Sequence, residues 1–136
     1  GVFLGVTYTS PVTKQKLFTQ FYDAPITASD IEAYVQDDPD QLYKVAVVSS
    51  GTTISGVTRA AVGDNTALVQ NPGSTTTGNS GVAVSATTST DGTLPIRVID
   101  VVPETANANG SYTEVIVKFN FGTHQYNVAD GSTVSA

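Results

Sequence analysis

The chain has 136 residues, a formal net charge of -6 and no cysteine, methionine or tryptophan. A chain of this length buries about two-thirds of its extended surface on folding, so it can hold a core without staples. The composition excludes a disulfide framework and a thiolate metal site, and the acidic balance opposes binding to a phosphate backbone, which depends on Lys and Arg. Only 13% of residues are charged, about half the usual globular share, while Thr, Ser, Gly, Asn and Val dominate. β-Branched residues fit a pleated surface and Gly and Asn supply turn dihedrals, so this is the composition of strands and turns.

The first stretch alternates Val2, Leu4, Val6 and Tyr8 against Phe3, Gly5, Thr7 and Thr9, which predicts a strand. It opens at Gly1 as a strand already under way, so either an initiator Met is removed or further chain precedes it. A turn at Ser10-Pro11-Val12-Thr13 leads into residues 16–22, Lys-Leu-Phe-Thr-Gln-Phe-Tyr, and the two strands are expected to form a hairpin. Phe18, Phe21 and Tyr22 do not all share one face, so some of them face outward whichever face is buried, and they are candidates for either core packing or a partner's anchor.

From residue 31 to 48 the alternation is clearest. Ile31, Ala33 and Val35 share one face and Glu32, Tyr34 and Gln36 the other, then Asp37-Asp38-Pro39-Asp40 intervenes and Tyr43, Val45 and Val47 resume. This predicts a second hairpin with an acidic loop. The competing reading is a short helix capped by Ser29 or Asp30. The three aspartates fit a solvated turn better than a calcium loop, because the Pro and the missing downstream bidentate Glu break the known pattern.

Residues 49–66 are broken by Gly51, Gly56 and Gly63, short strands are expected at 67–70 and 81–85, and a polar loop runs from Asn71-Pro72-Gly73 to Gly78-Asn79. The strongest strands come last, at 94–102 and 112–119, joined through Asn109-Gly110, a dipeptide that tolerates positive φ. Residues 127–136 are small and polar and are expected to form a flexible tail behind a single β domain over residues 1–126. Many short strands with turns between them predict an all-β fold, an antiparallel β-sandwich or small β-barrel with long polar loops.

No catalytic site is indicated. His124 is the single histidine, which removes a two-histidine metal site. Gly78-Asn79-Ser80-Gly81-Val82 is only superficially like the nucleophile segment of trypsin-like proteases, since Asn stands where the Asp belongs and Val follows the Gly. No apolar run reaches the roughly 20 residues that span a bilayer. Neither cofactor nor metal, nucleic acid nor membrane is expected as a partner, and the chain is read as a binding protein and not an enzyme.

At residues 1–9, at Ala28-Ser29-Asp30-Ile31 through Asp37-Asp38-Pro39-Asp40, at the Gly-Ser-Thr-Thr-Thr-Gly-Asn-Ser loop 73–80, at Leu94-Pro95-Ile96-Arg97 and at Val117-Lys118-Phe119-Asn120 with His124-Gln125, the sequence resembles the head decoration, or cement, proteins of tailed bacteriophages. The resemblance runs over nearly the whole chain. It implies a virion structural protein on the capsid surface that binds the major capsid protein lattice, as a homo-oligomer at a symmetry axis. The alternative is a receptor- or carbohydrate-binding β module of a phage fibre or tail. The opening strand is expected at a sheet edge, where unpaired backbone accepts a neighbour. The candidate partner-binding residues are therefore Val2, Phe3, Leu4, Phe18, Phe21 and Tyr22.

Overall fold

A computed structural model describes residues 1–23 and 25–120. The chain is all-β: the regular structure of those residues is nine strands and two three-residue 3₁₀ turns, at Arg59–Ala61 and Pro103–Thr105. The expected tail 127–136 and His124 lie outside the described residues. The chain divides into two compact units. The first is Gly1–Asp38 with Pro72–Ser80; the second is Pro39–Asn71 with the described residues from Gly81 on.

The first unit is a three-stranded antiparallel sheet of β1 (Val2–Thr9), β2 (Lys16–Thr19) and β3 (Glu32–Gln36), in the order β2-β1-β3. The β1–β2 hairpin is present as the alternation predicts. Its loop closes through the Ser10 amide donating to the Gln15 carbonyl at 2.8 Å and the Lys14 amide to the Ser10 carbonyl at 2.9 Å, with Lys14 in the left-handed region at φ 59°. The opening strand is central in this sheet, not at its edge. β2 pairs only Val6–Thr9 of it, so Val2 to Gly5 have a ladder partner on the β3 side alone.

The expected second hairpin is absent. β3 pairs with β1, and the next strand, β4 (Tyr43–Ser50), belongs to the other sheet. The helix weighed at Ser29 and Asp30 does not form either. Asp37-Asp38-Pro39-Asp40 is the crossing from one unit to the other, with the three aspartates exposed and Pro39 buried. The local pattern gives a strand, an acidic break and a strand, but carries no information on which sheet each strand joins. The apolar content decides it: β3 is exposed over nearly its whole length, while β4 buries Val47 and Val48.

The second unit holds β4, β5 (Thr53–Ile54), β6 (Asn65–Val69), β7 (Ala83–Ser89), β8 (Ile96–Val101) and β9 (Glu114–Phe119). The ladder runs β5-β4-β7-β6-β8-β9, and β9 returns to pair with β4. That return closes a five-stranded ring, the small-barrel form of the expected fold. All its pairings are antiparallel except β4–β7. A closed sheet has inward positions shielded on every side, and Val47, Val84, Ile96, Val98, Val101, Val115 and Val117 fill them. Each fully buried aliphatic side chain contributes roughly 1.5–3 kcal/mol over its exposed state. Thr66 is fully buried, and its hydroxyl donates to the Ser85 carbonyl at 2.8 Å, so its polar atom costs little. The β8–β9 connection turns at Gly110 (φ +69°), where the Asn-Gly pair predicts it.

Candidate partner-binding surface

The six candidate residues all belong to the first unit, but they do not form one patch. Their placement follows from a bulge in β1. Phe3 stands opposite Val35 and Gly5 opposite Tyr34, so Leu4 is an extra residue on β1. An inserted residue shifts the alternation by one, and opposed residues in an antiparallel pair share a face. Phe3 therefore lies on the face of Val35 and Val6, while Val2 lies with Gly5 and Thr7. A strict two-residue period puts Phe3 with Gly5 and so misplaces it.

On the Gly5 face, Phe18 (opposite Thr7) and Tyr34 (opposite Gly5) meet with ring centroids 6.0 Å apart at an interplanar angle of 52°. The backbone dictates this arrangement. Gly5 has φ +155°, and a Cβ there would stand 2.7 Å from Phe18 Cζ and 2.9 Å from the Thr19 carbonyl oxygen. Glycine on the central strand opens a slot, and the flanking aromatics cover it, a known device for stabilising a bare strand position. Gly5 is consequently buried, yet Phe18 remains 64% and Tyr34 44% exposed. The Thr7 and Tyr34 hydroxyls lie 3.5 Å apart beside them.

The opposite face carries Val6 and Tyr8, both buried. Tyr22 packs edge-on against Tyr8, with centroids 6.4 Å apart, and its hydroxyl donates to the Ile26 carbonyl. Phe21 is half-buried and its ring edge abuts Gly78, where a Cβ would lie 3.1 Å from Cδ1. Beside it the Gln20 amide donates to the Gly78 carbonyl at 2.9 Å. Loop 73–80 is thereby fastened to the first unit, its turn closed by the Gly78 amide donating to the Ser74 carbonyl at 2.7 Å. Phe21 and Tyr22 thus both make contacts within their unit, Phe21 half-buried and Tyr22 still exposed. Phe3 and Leu4 are exposed and Val2 is half-buried.

Tyr34 is not among the six candidates that the sequence points to. The signal was there: an aromatic on a strand with few apolar neighbours, and a glycine inside a strand pattern, which marks a bulge or a close approach.

Asp30, just before β3, accepts the Thr9 hydroxyl at 2.6 Å and the Thr9 amide at 2.9 Å. These bonds, the hydroxyl's first, hold its carboxyl below the ordinary value, with a smaller contribution from the Lys16 charge. At the crossing between units, Asp40 accepts the Lys118 ammonium at 2.7 Å. Among the described residues no three acidic or histidine side chains gather as a metal site, and no helix is long and apolar enough to cross a membrane. No family model, curated protein or solved structure matches the chain.

Proposed function

We propose that this chain is a structural component of a phage virion that docks on the assembled capsid lattice and stabilises it, acting by binding and not by catalysis. The exposed Phe18–Tyr34 pair carries this reading. Aromatic side chains anchor interfaces because they bury a large area while freezing few rotamers, and truncating such an anchor commonly costs 2 kcal/mol or more. These two are already held by the sheet and by the Gly5 slot, so little further ordering is needed on docking. The resemblance to head decoration proteins supplies the class of partner.

A protein that binds the assembled shell better than free subunits stabilises the shell by mass action, and many modest sites on one lattice add through avidity. Quantitative mass spectrometry of purified particles tests this. Hundreds of copies per particle are expected; a handful would assign the chain to a fibre or tail.

A second reading draws on the same rings. An exposed aromatic pair is also a platform for a sugar, the recognition element of a carbohydrate-binding module. In that case a soluble oligosaccharide, and not capsid, would change the tyrosine fluorescence of the wild type, and Tyr34→Ala would abolish that change.

A further inference from the structure

The two outer strands of the first unit's sheet carry opposite charge. β2 begins at Lys16, with Lys14 just before it. β3 is flanked by Asp30 and Asp37-Asp38 and begins at Glu32. Lys14, Lys16 and Glu32 are exposed and take part in no ion pair among the described residues. Both strands are also apolar and exposed at their centres, through Leu17 and Phe18 on one and Tyr34 and Val35 on the other. Among the described residues each is the last strand on its side of the sheet, so each presents a row of backbone groups that no described strand matches. Natural sheets commonly blunt such edges with charge; here one edge is basic and the other acidic.

We infer that this sheet continues from one copy of the chain into the next, β3 of one copy lying beside β2 of its neighbour in a head-to-tail ring. Direction and face both permit it. β2 and β3 are each antiparallel to β1 and so run the same way. A rotation about an axis along the strands preserves direction and face, which sets β3 and the neighbouring β2 parallel in one ladder. Lys16 and Phe18 are two residues apart on β2, and Glu32 and Tyr34 are two apart on β3. All four lie on the Gly5 face, since Lys16 opposes Thr9, Phe18 and Glu32 both oppose Thr7, and Tyr34 opposes Gly5.

A single register therefore places Lys16 beside Glu32 and Phe18 beside Tyr34, with Leu17 beside Ala33 on the reverse face. Within one copy Phe18 is level with Glu32, so this register staggers each copy by two residues, and closed sheets need such a stagger. The aromatic pairs then run on from copy to copy as one band.

Two-fold alternatives set like against like. β3 against β3 brings together two edges that each carry Glu32, Asp37 and Asp38, and β2 against β2 brings together two lysine edges. Like charges across a ladder are destabilising. A heterologous contact is what remains, and it closes when its rotation divides the circle.

The test is sedimentation equilibrium of the whole chain and its charge variants, with circular dichroism to verify the strand signal. The wild type is expected to form a single closed species heavier than a dimer, weakened by salt. Lys16→Glu and Glu32→Lys should each weaken association roughly tenfold. The double variant should restore it, and an equimolar mixture of the two single variants should associate more tightly than either variant alone, because each contact between unlike variants regains opposite charges. A monomer, a species that stops at a dimer, or single variants that assemble like the wild type would overturn the inference. The ring and the capsid reading fail separately: a monomer that still sediments with shells removes the ring alone, and a ring that ignores shells removes the docking alone.

Discussion

The rings of Phe18 and Tyr34 meet 6.0 Å apart over Gly5, on strands that flank it from either side. Three strands of one small sheet thus converge on a position with no side chain, and the glycine is what lets the aromatics lie down on the backbone. Gly5→Ala should cost about 2 kcal/mol or more, since the new Cβ meets a rigid carbonyl and a φ that L residues rarely adopt. Urea denaturation gives the measure. A Gly5→Ala variant as stable as the wild type would mean the slot is not a constraint.

The Thr9–Asp30 bonds predict a particular acid response. Asp30 titrates below its ordinary 3.8 in the folded chain because Thr9 donates to its ionised form. A carboxyl with a depressed folded value contributes stability that is fully present above its unfolded value and lost as pH falls through the folded one. The wild type should therefore exceed Asp30→Asn in stability at pH 6, with the difference shrinking below pH 3.8. A difference that stays constant from pH 6 to pH 2.5 would contradict this.

Val115 is fully buried in the second unit's closed sheet, on β9 between β4 and β8. Val115→Ala removes two methyl groups from a site walled by strands that cannot collapse freely. A loss of about 2 kcal/mol is expected, which lowers the melting temperature by roughly 6–10 °C in a chain of this size. Lys118→Ala, which removes the exposed pair with Asp40, should change it by less than about 1 kcal/mol.

Phe21 and Phe18 separate packing from docking. Phe21→Ala leaves Gly78 and its loop without their ring contact and should destabilise the first unit by about 2–3 kcal/mol. Phe18→Ala exposes Gly5 but removes a side chain that is already mostly in solvent, and about 1 kcal/mol is expected. Thermal melts of the two variants measure the order, and an equal or reversed order would show that Phe21 is not a packing residue.

What the sequence made legible is the part that depends on local pattern. Alternation located β1, β2, β3, β4, β8 and β9, and Asn109-Gly110 and Gly51 mark real turns because positive φ is a property of single residues. Pairing was less legible. The Asp37-Asp38-Pro39-Asp40 break looks the same whether the chain folds back on itself or departs for another sheet, and burial of Val47 and Val48 on β4 but not of Val35 on β3 is a tertiary fact. The bulge at Leu4 defeated the face assignment of Phe3 for a similar reason: nothing local to Val2-Phe3-Leu4 reports that β3 has one residue fewer. Phe18 is legible because an aromatic cluster stands out in a polar chain; the contact of Tyr34 with it is not, because that contact forms over Gly5, 29 positions from Tyr34.

The docking claim is tested most directly by co-sedimentation of purified chain with capsids assembled without it, comparing the wild type with the Phe18→Ala/Tyr34→Ala double variant, both checked for retained strand signal. The wild type should pellet with the shells and raise their disruption temperature, and the double variant should bind at least thirtyfold more weakly, roughly 2 kcal/mol per shell site. A wild type that stays in the supernatant at every concentration, or a folded double variant that binds as well as the wild type, would contradict the account.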